Sequence, residues 1–140
     1  MIFWDSSAIV PLLVAEPCSR DAAALAKTVP GMIVWWATPV EVLSSLSRRE
    51  REAGPGTAEA ARVLLRELSQ AWAEVLPSEE ARTGAARLLR THPLRAADAL
   101  QLAAALTWAE RRPDGHRFAT LDTRLAEAAR REGFEIMLSG

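Results

Sequence analysis

The sequence predicts an α/β domain built on a central, mostly parallel sheet. Short apolar runs typical of strands alternate with longer stretches of helical periodicity along the chain. A length of 140 residues suits one domain with its own core, and shares of 49% hydrophobic and 25% charged residues are those of an ordinary globular protein. We therefore expect a single domain over residues 1–140, without a disordered or collagen-like part.

The first half of the chain predicts two strands and four helices. Residues 1–4 (MIFW) and 32–36 (MIVWW) are uninterrupted apolar runs of strand length. Apolar or alanine-rich periodicity predicts helices over residues 7–15, 19–27, 38–51 and 57–72. Pro17 interrupts the chain after the first of these helices. The last presents an apolar face at helical spacing, made of Ala61, Leu64, Leu65, Leu68 and Trp72.

The second half continues the alternation and contains the most apolar helix. The remaining strands are predicted over residues 74–76, 117–121 and 134–138, and the remaining helices over 78–90, 94–111 and 123–131. Ser78 is a typical N-cap for the first of these helices, and Gly133 is a typical C-terminal stop for the last. The middle helix is apolar on nearly all sides between Ala99 and Ala109, so we expect it to be buried at the centre.

Composition excludes several classes of protein. Cys18 is the only cysteine, which excludes an internal disulfide and a cysteine-rich zinc site. Residues 1–5 (MIFWD) lack the basic start of a signal peptide, and the uncharged stretch 99–109 falls short of the ~18 apolar residues that a membrane span needs. We therefore expect a cytoplasmic protein with no membrane partner. The net charge of -1 gives no support to a strongly basic nucleic-acid coat protein.

Four carboxylates occupy positions that are typical of a site. Asp5 and Asp122 end predicted strands, Glu41 lies in the first turn of the helix after the second strand, and Asp98 abuts the most apolar helix. In a parallel sheet, the carboxyl ends of strands and the helix N-termini that follow share one edge. We therefore expect these four acids, which are distant in sequence, to meet in one crevice.

Each acid also has a structural explanation to weigh. Glu41 fits a capping box with Thr38 as the N-cap, and Asp122 fits an N-cap for the last helix. Asp98 would complement the dipole of its own helix. Asp5 has the weakest explanation of this kind, because an unpaired carboxylate beside a buried strand is disfavoured by desolvation.

Taken together, the four acids point to a metal site. Two carboxylates ~4 Å apart repel each other by several kcal/mol at an effective dielectric constant near 20, so a cluster must raise its pKa values or hold a cation. Carboxylate oxygens without histidine or cysteine are the ligands that Mg²⁺ or Mn²⁺ prefers. A hydrated divalent ion can activate water against a phosphodiester, which makes hydrolysis of a phosphodiester the reaction that the acids favour.

The sequence also resembles PIN-domain ribonucleases, in particular the VapC toxins of type II toxin–antitoxin pairs. The resemblance covers essentially the whole chain. Its motifs are residues 3–8 (FWDSSA), 38–42 (TPVEV), 94–100 (LRAADAL) and 118–125 (FATLDTRL). Each motif alone is weak, whereas the set in this order within 140 residues is specific. Trp4 and the pair Trp35-Trp36 depart from the usual pattern, which puts substrate choice and dimer packing in question more than the chemistry.

The resemblance implies a three-layer α/β/α PIN-like fold with a central parallel sheet. It implies that one or two Mg²⁺ or Mn²⁺ ions are bound by Asp5, Glu41, Asp98 and Asp122, and that the hydroxyls of Ser7 and Thr120 support them. The implied reaction is endonucleolytic RNA cleavage by metal-activated water, leaving 5′-phosphate and 3′-hydroxyl ends. The implied partners are an antitoxin protein that occludes the site and a second copy of the chain in a homodimer.

The basic and aromatic residues indicate the function less clearly than the four acids do. Arg95, one turn before Asp98, is the best candidate for a phosphate contact, while the other arginines fit solvated helix faces. We expect His92 and His116 to be neither ligands nor catalysts, and most tryptophans to be buried. The alternative functions are a catalytically silent PIN-fold module that binds RNA or protein, and a solitary PIN nuclease without an antitoxin. The silent module would lack an acid, and none of the four is missing.

Overall fold

The computed structural model describes residues 1–138, and at its centre lies a parallel five-stranded sheet. The strands are β1 (Ile2–Trp4), β2 (Met32–Trp35), β3 (Ala73–Val75), β4 (Arg117–Ala119) and β5 (Glu135–Met137). Their order in the sheet is β3-β2-β1-β4-β5, and every neighbouring pair is parallel. Together with the helices on its two faces, this sheet confirms the predicted three-layer α/β/α class.

Seven α-helices occur within residues 1–138. They are α1 (Ser6–Ile9), α2 (Ser19–Thr28), α3 (Thr38–Ala53), α4 (Glu59–Ser69), α5 (Glu79–Thr91), α6 (Ala96–Trp108) and α7 (Thr123–Glu132). The Ser78 hydroxyl accepts a hydrogen bond from the amide of Ala81, and Gly133 ends α7 at φ 114°, which confirms both predicted caps. Among these residues, no helix has the length and apolar character needed to cross a bilayer.

Two helical predictions were wrong in part: the helix expected over residues 7–15, and the helix expected over 57–72, which spans only Glu59–Ser69 and leaves Trp72 outside it. The helix expected over residues 7–15 becomes a 3₁₀ turn at Val10–Leu12, where Pro11 has no amide hydrogen to donate. In α4, Ala61 and Leu65 are buried, but Leu64 is 44% exposed, so the prediction that Leu64 belongs to the buried face was wrong. A single step along a helix turns the side chain by about 100°, which carries Leu64 away from the surface that Leu65 packs against.

Each face of the sheet is covered by its own group of helices. Phe3, Ile33 and Phe118 point to the side where α5, α6 and α7 pack. Trp4 and Val34, each one residue further along, point to the opposite side, where α1, α3 and α4 pack. The α6 side chains at 99 and 101–105 are all buried, which confirms the prediction that this helix is central.

Outside the site, His92 and most of the tryptophans are packed in the interior. Three tryptophans (Trp4, Trp35 and Trp72) are buried, whereas Trp36 is 53% exposed. His92 is buried with its Nε2 2.7 Å from the Glu132 carboxylate, to which Arg87 also donates. Burial acts to raise the pKa of Glu132, but the hydrogen bonds from Arg87 and His92 outweigh it and the pKa lies below its ordinary value. Arg87 therefore joins α5 to α7.

The strand order creates an opening beside β1. The chain adds β2 and β3 on one side of β1 and then returns to place β4 on the other side. The connections that leave β1 and β4 therefore run to opposite faces, and a crevice forms at the carboxyl ends of these two strands. The amide of Asp5 donates to the carbonyl of Ala119 at 3.0 Å, which ties the end of β1 to β4 at this edge.

Candidate active site

Asp5 is the most deeply buried of the four acids. It follows β1 directly, caps the N-terminus of α1 and is only 3% exposed. Its Oδ2 accepts hydrogen bonds from Ser7 Oγ at 2.5 Å and from Thr120 Oγ1 at 2.8 Å, and the Ser7 amide lies at 3.3 Å. Burial raises the pKa of Asp5; these hydrogen bonds oppose the rise, and the nearby Asp98 adds to it. The surroundings therefore hold this carboxyl in one orientation.

Ser7 and Thr120 also hold the chain that follows β4. The amide of Leu121 donates to Ser7 Oγ at 2.9 Å, and the amide of Asp122 donates to Thr120 Oγ1 at 3.1 Å. Each hydroxyl thus donates to Asp5 and accepts from the backbone of the neighbouring loop. Their position beside Asp5 agrees with the supporting role predicted from the resemblance, although their part in chemistry stays a prediction.

Glu41 does not form the predicted capping box. Ala37 is the N-cap of α3, and Thr38 is already helical and fully buried, so its hydroxyl cannot act as the expected cap. The Glu41 carboxylate instead accepts from Nε2 of Gln101, 2.8 Å from its Oε1. Burial raises the pKa of Glu41 to about 7, and repulsion from Asp5 and Asp98 contributes to the rise. Tertiary contacts across to α6 therefore determine where this carboxylate lies.

Asp98 and Asp122 complete the group of predicted acids. Asp98 stands in the first turn of α6; burial raises its pKa, Asp122 adds to the rise, and the charges of Arg95 and Arg124 oppose it. Asp122 caps α7, with Oδ1 accepting from the amide of Leu125 at 3.0 Å. The prediction that Asp122 is the N-cap of the last helix is therefore confirmed. Only Oδ1 makes the capping hydrogen bond, so Oδ2 takes no part in it.

Two cavities meet at Asp98. The first, of about 720 Å³, is lined among others by Ser7, Glu41 and Arg48. The second, of about 590 Å³, is lined by Arg95, Asp98, Leu121, Asp122, Thr123 and Arg124. Asp98 and Leu121 line both cavities, so one continuous depression runs past Glu41, Asp98 and Asp122 with arginines on either side, and the buried Asp5 lines neither cavity.

The acids are close enough to repel one another, but they do not form a ready-made ligand cage. The charge of Asp98 raises the pKa of Asp5, the charges of Asp5 and Asp98 raise the pKa of Glu41, and the charge of Asp122 raises the pKa of Asp98. Within residues 1–138, no three histidine, cysteine, aspartate or glutamate side chains are arranged as a group that could hold a metal ion. The donor chemistry nevertheless fits Mg²⁺ or Mn²⁺, because the side chains offer only oxygen and their repulsion would be relieved by a cation.

The raised pKa of Glu41 predicts a pH-dependent stability for the metal-free chain. The carboxyl titrates near 4.5 when unfolded and at about 7 when folded, so the folded state binds more protons between these values. The contribution of Glu41 to the free energy of unfolding is fully present below pH 4.5 and is lost as the pH rises through 7. In EDTA, we expect Glu41→Gln to flatten the fall in unfolding free energy across this interval by about 1 kcal/mol, after allowance for solvent exposure. Parallel curves for the two proteins would contradict this.

Sequence reasoning missed Gln101 as a member of the site. Its only signal was that Gln101 is one of two polar residues that interrupt the apolar part of α6, one turn after Asp98. Arg124 was also missed, although it lies within the motif over residues 118–125. In both cases the neighbour that gives the residue its place, Glu41 or Asp98, lies far away in sequence.

Comparisons with known proteins identify the family and the fold. The model of the PIN domain family matches residues 2–131. The structure is similar to that of VapC20 from Mycobacterium tuberculosis, a sarcin–ricin-loop-cleaving toxin, with a TM-score of 0.70 and 18% identity over 91% of this chain and 95% of that chain. It is also similar to VapBC2 from Rickettsia felis bound to a promoter DNA fragment, with a TM-score of 0.68 and 12% identity over 98% and 99%.

A third similar structure is a toxin–antitoxin complex from Klebsiella pneumoniae, with a TM-score of 0.65 and 14% identity over 89% of this chain and 88% of that chain. A comparison with curated proteins finds no match. At these low identities the solved structures show a shared fold, whereas the family model matches the sequence itself over nearly its whole length. The chain belongs to the PIN domain family.

Proposed function

We propose that this chain is a metal-dependent endoribonuclease and the toxin of a VapBC-type toxin–antitoxin pair. The observation that carries the proposal is the buried Asp5, held by two hydroxyls at the open edge between β1 and β4, with Glu41 and Asp98 repelling it from neighbouring helices. An arrangement that concentrates negative charge in a crevice disfavours folding, so a function for that charge is the simplest explanation. Family membership supports a nuclease among the possible functions.

The four acids would bind the cation, and the cation would act on the water and the phosphate. Asp5, Glu41, Asp98 and Asp122 would hold one or two Mg²⁺ or Mn²⁺ ions, which supply an activated water and neutralise charge on a phosphate oxygen. Asp5 would keep a fixed orientation, because Ser7 and Thr120 already use its Oδ2. The products of such hydrolysis would carry 5′-phosphate and 3′-hydroxyl ends.

The proposed partners follow from the same similarity. Two of the similar structures are a toxin–antitoxin complex and a VapBC complex bound to promoter DNA. We therefore infer a cognate antitoxin that covers the crevice. From the resemblance to VapC toxins we further propose a homodimer of this chain, and we propose action in the cytoplasm. The adjacent upstream reading frame tests the first inference: a short gene for a DNA-binding protein is expected there, and its absence would favour a solitary nuclease.

Cleavage of RNA by the purified chain tests the proposed activity. End-labelled single-stranded and hairpin RNAs are incubated with the protein in Mn²⁺, in Mg²⁺ and in EDTA. We expect internal cuts only with a divalent ion, and mapping of the ends should find 5′-phosphates. Undiminished cleavage in EDTA would refute metal dependence, and the absence of cleavage under all conditions would refute the nuclease.

One observation favours a catalytically silent module instead. The described residues 1–138 contain no preassembled group of three metal-ligating side chains. Calorimetric titration with Mn²⁺ separates the two functions. Binding at micromolar to millimolar Mn²⁺, with heat that disappears in Asp98→Asn, supports the nuclease, whereas RNA binding without any Mn²⁺ binding supports the silent module.

Arg95 is predicted to contact an RNA phosphate. It is exposed, lines the cavity at Asp98 and makes no ion pair within residues 1–138. Arg95→Ala should weaken RNA binding several-fold on every sequence and lower the slope of log K against log salt by about 0.7, the value for one contact on a single strand. Binding is measured in the Asp5→Asn background to prevent cleavage. Arg112→Ala is the control, because Arg112 lies beyond the other end of α6, and it should leave the salt slope unchanged. Equal salt slopes with and without Arg95→Ala would refute the contact.

A further inference from the structure

Gln101 is a polar side chain in a place where the helix otherwise buries apolar groups. It is 1% exposed and lies between the buried residues of α6. Its Nε2 donates to Thr38 Oγ1 at 3.0 Å and to the Glu41 carboxylate, at 2.8 Å from Oε1 and 3.3 Å from Oε2. Both hydrogens of the amide are therefore used, one on a buried hydroxyl and one on an acid of the site.

The other end of the same amide has no partner. Gln101 Oε1 is buried, and among the described residues no group donates a hydrogen bond to it. A buried acceptor that has lost water without gaining a partner disfavours folding, whereas leucine would fill a similar space without that loss. Packing alone therefore does not explain glutamine here, and the contact with Glu41 is the interaction that does.

We propose that Gln101 is a positioning residue that holds the Glu41 carboxylate toward Asp5 and Asp98. The Thr38 hydroxyl fixes the plane of the amide from one side, so the second amide hydrogen is aimed at Glu41. Without this contact, a half-exposed glutamate would sample several rotamers and turn away from the like charges that repel it. The proposal rests on the proposed role of Glu41 in holding a cation, because only then does its orientation matter for activity.

Manganese affinity in Gln101→Leu tests the proposal. Groups that orient a metal ligand typically change metal affinity or activity by 10–100-fold when removed, and we expect a loss of Mn²⁺ affinity in about that range by calorimetry. In cleavage assays, saturating Mn²⁺ should restore most of kcat, and the KM for RNA should stay the same. The thermal midpoint of the same samples checks that the variant folds, because leucine removes the unpartnered oxygen but also removes the donor to the buried Thr38 hydroxyl.

Thr107→Val is the matched control on the same helix. Its hydroxyl donates to the Ala103 carbonyl of the same helix. Among the described residues, it makes no hydrogen bond to an acid of the site. This variant should keep the Mn²⁺ affinity of the wild type. Equal Mn²⁺ affinities for the wild type and Gln101→Leu would overturn the proposal, as would an equal loss in Thr107→Val.

A measurement on the metal-free chain keeps the proposal separate from the proposed function. The two side-chain amide protons of Gln101 are followed by NMR in the wild type and in Glu41→Ala. We expect one of them to shift strongly and exchange faster when its acceptor is removed; unchanged signals would overturn the proposal even if Gln101→Leu does not fold. If the wild type binds no Mn²⁺ while these signals respond, the metal dependence fails and the positioning of Glu41 stands.

Discussion

Replacing Asp5 with asparagine is expected to reduce RNA cleavage by about a hundred- to a thousandfold while the chain remains folded. The buried carboxylate is proposed to bind the cation, and asparagine offers a neutral oxygen in the same place. That oxygen can still accept from Ser7 and Thr120, because both hydroxyls donate to a single atom of Asp5. Burial raises the pKa of Asp5, so removing its charge also relieves an unfavourable desolvation and need not lower stability.

The measurement compares initial rates of RNA cleavage in saturating Mn²⁺ with thermal unfolding of the same samples. Asp21→Asn is the control, because Asp21 is an exposed aspartate in the first turn of α2, away from both cavities. It should cleave RNA at the wild-type rate. Wild-type cleavage by Asp5→Asn would show that the crevice is not the active site.

Phe118→Ala is expected to have the largest effect on stability, a loss of about 3–5 kcal/mol. Phe118 is fully buried in β4, and its ring lies 5.3 Å from that of Phe3 and 5.6 Å from that of Phe134. Alanine removes these contacts and leaves a cavity between the sheet and its helices. A domain of this size is typically stable by about 5–15 kcal/mol, so a large share of the total would be lost.

Urea unfolding of Phe118→Ala and the wild type measures this effect. Leu76→Ala is the control, because Leu76 is 65% exposed and should change stability by less than about 0.5 kcal/mol. At low temperature, the folded fraction of Phe118→Ala should retain RNA cleavage, in contrast to Asp5→Asn. A loss below 1 kcal/mol would mean that the core around β4 is not packed as described.

Periodicity predicted the elements well and their ends less well. The all-round apolar pattern of α6 identified the central helix, because no exposed helix tolerates that composition. The predicted helix over residues 7–15 failed at Pro11, where backbone chemistry outweighs the apolar pattern. Leu64 was misplaced because helical spacing fits several neighbouring faces equally well, and only the packing partner selects one of them.

The candidate site could likewise be predicted from the sequence only in part. Asp5 could be recognised from the sequence because a carboxylate at the end of a buried strand is costly unless the fold uses it. The capping explanation of Glu41 was equally consistent with the sequence, and it proved wrong because Gln101 and Thr38 meet from two different helices. Nothing local distinguishes these outcomes, since the residues involved are about sixty positions apart in sequence.

By itself, the sequence determined the order of strands and helices, the buried position of α6 and the four acids at the edge of the sheet. These follow from side-chain periodicity and from the shared edge of parallel strands, which are local or general properties. Only the tertiary structure decided which groups surround each acid. Asp5 is held by hydroxyls from α1 and the end of β4, and Glu41 by an amide from α6. Hydrogen bonds act over about 3 Å, so their partners are known only when distant segments have been brought together.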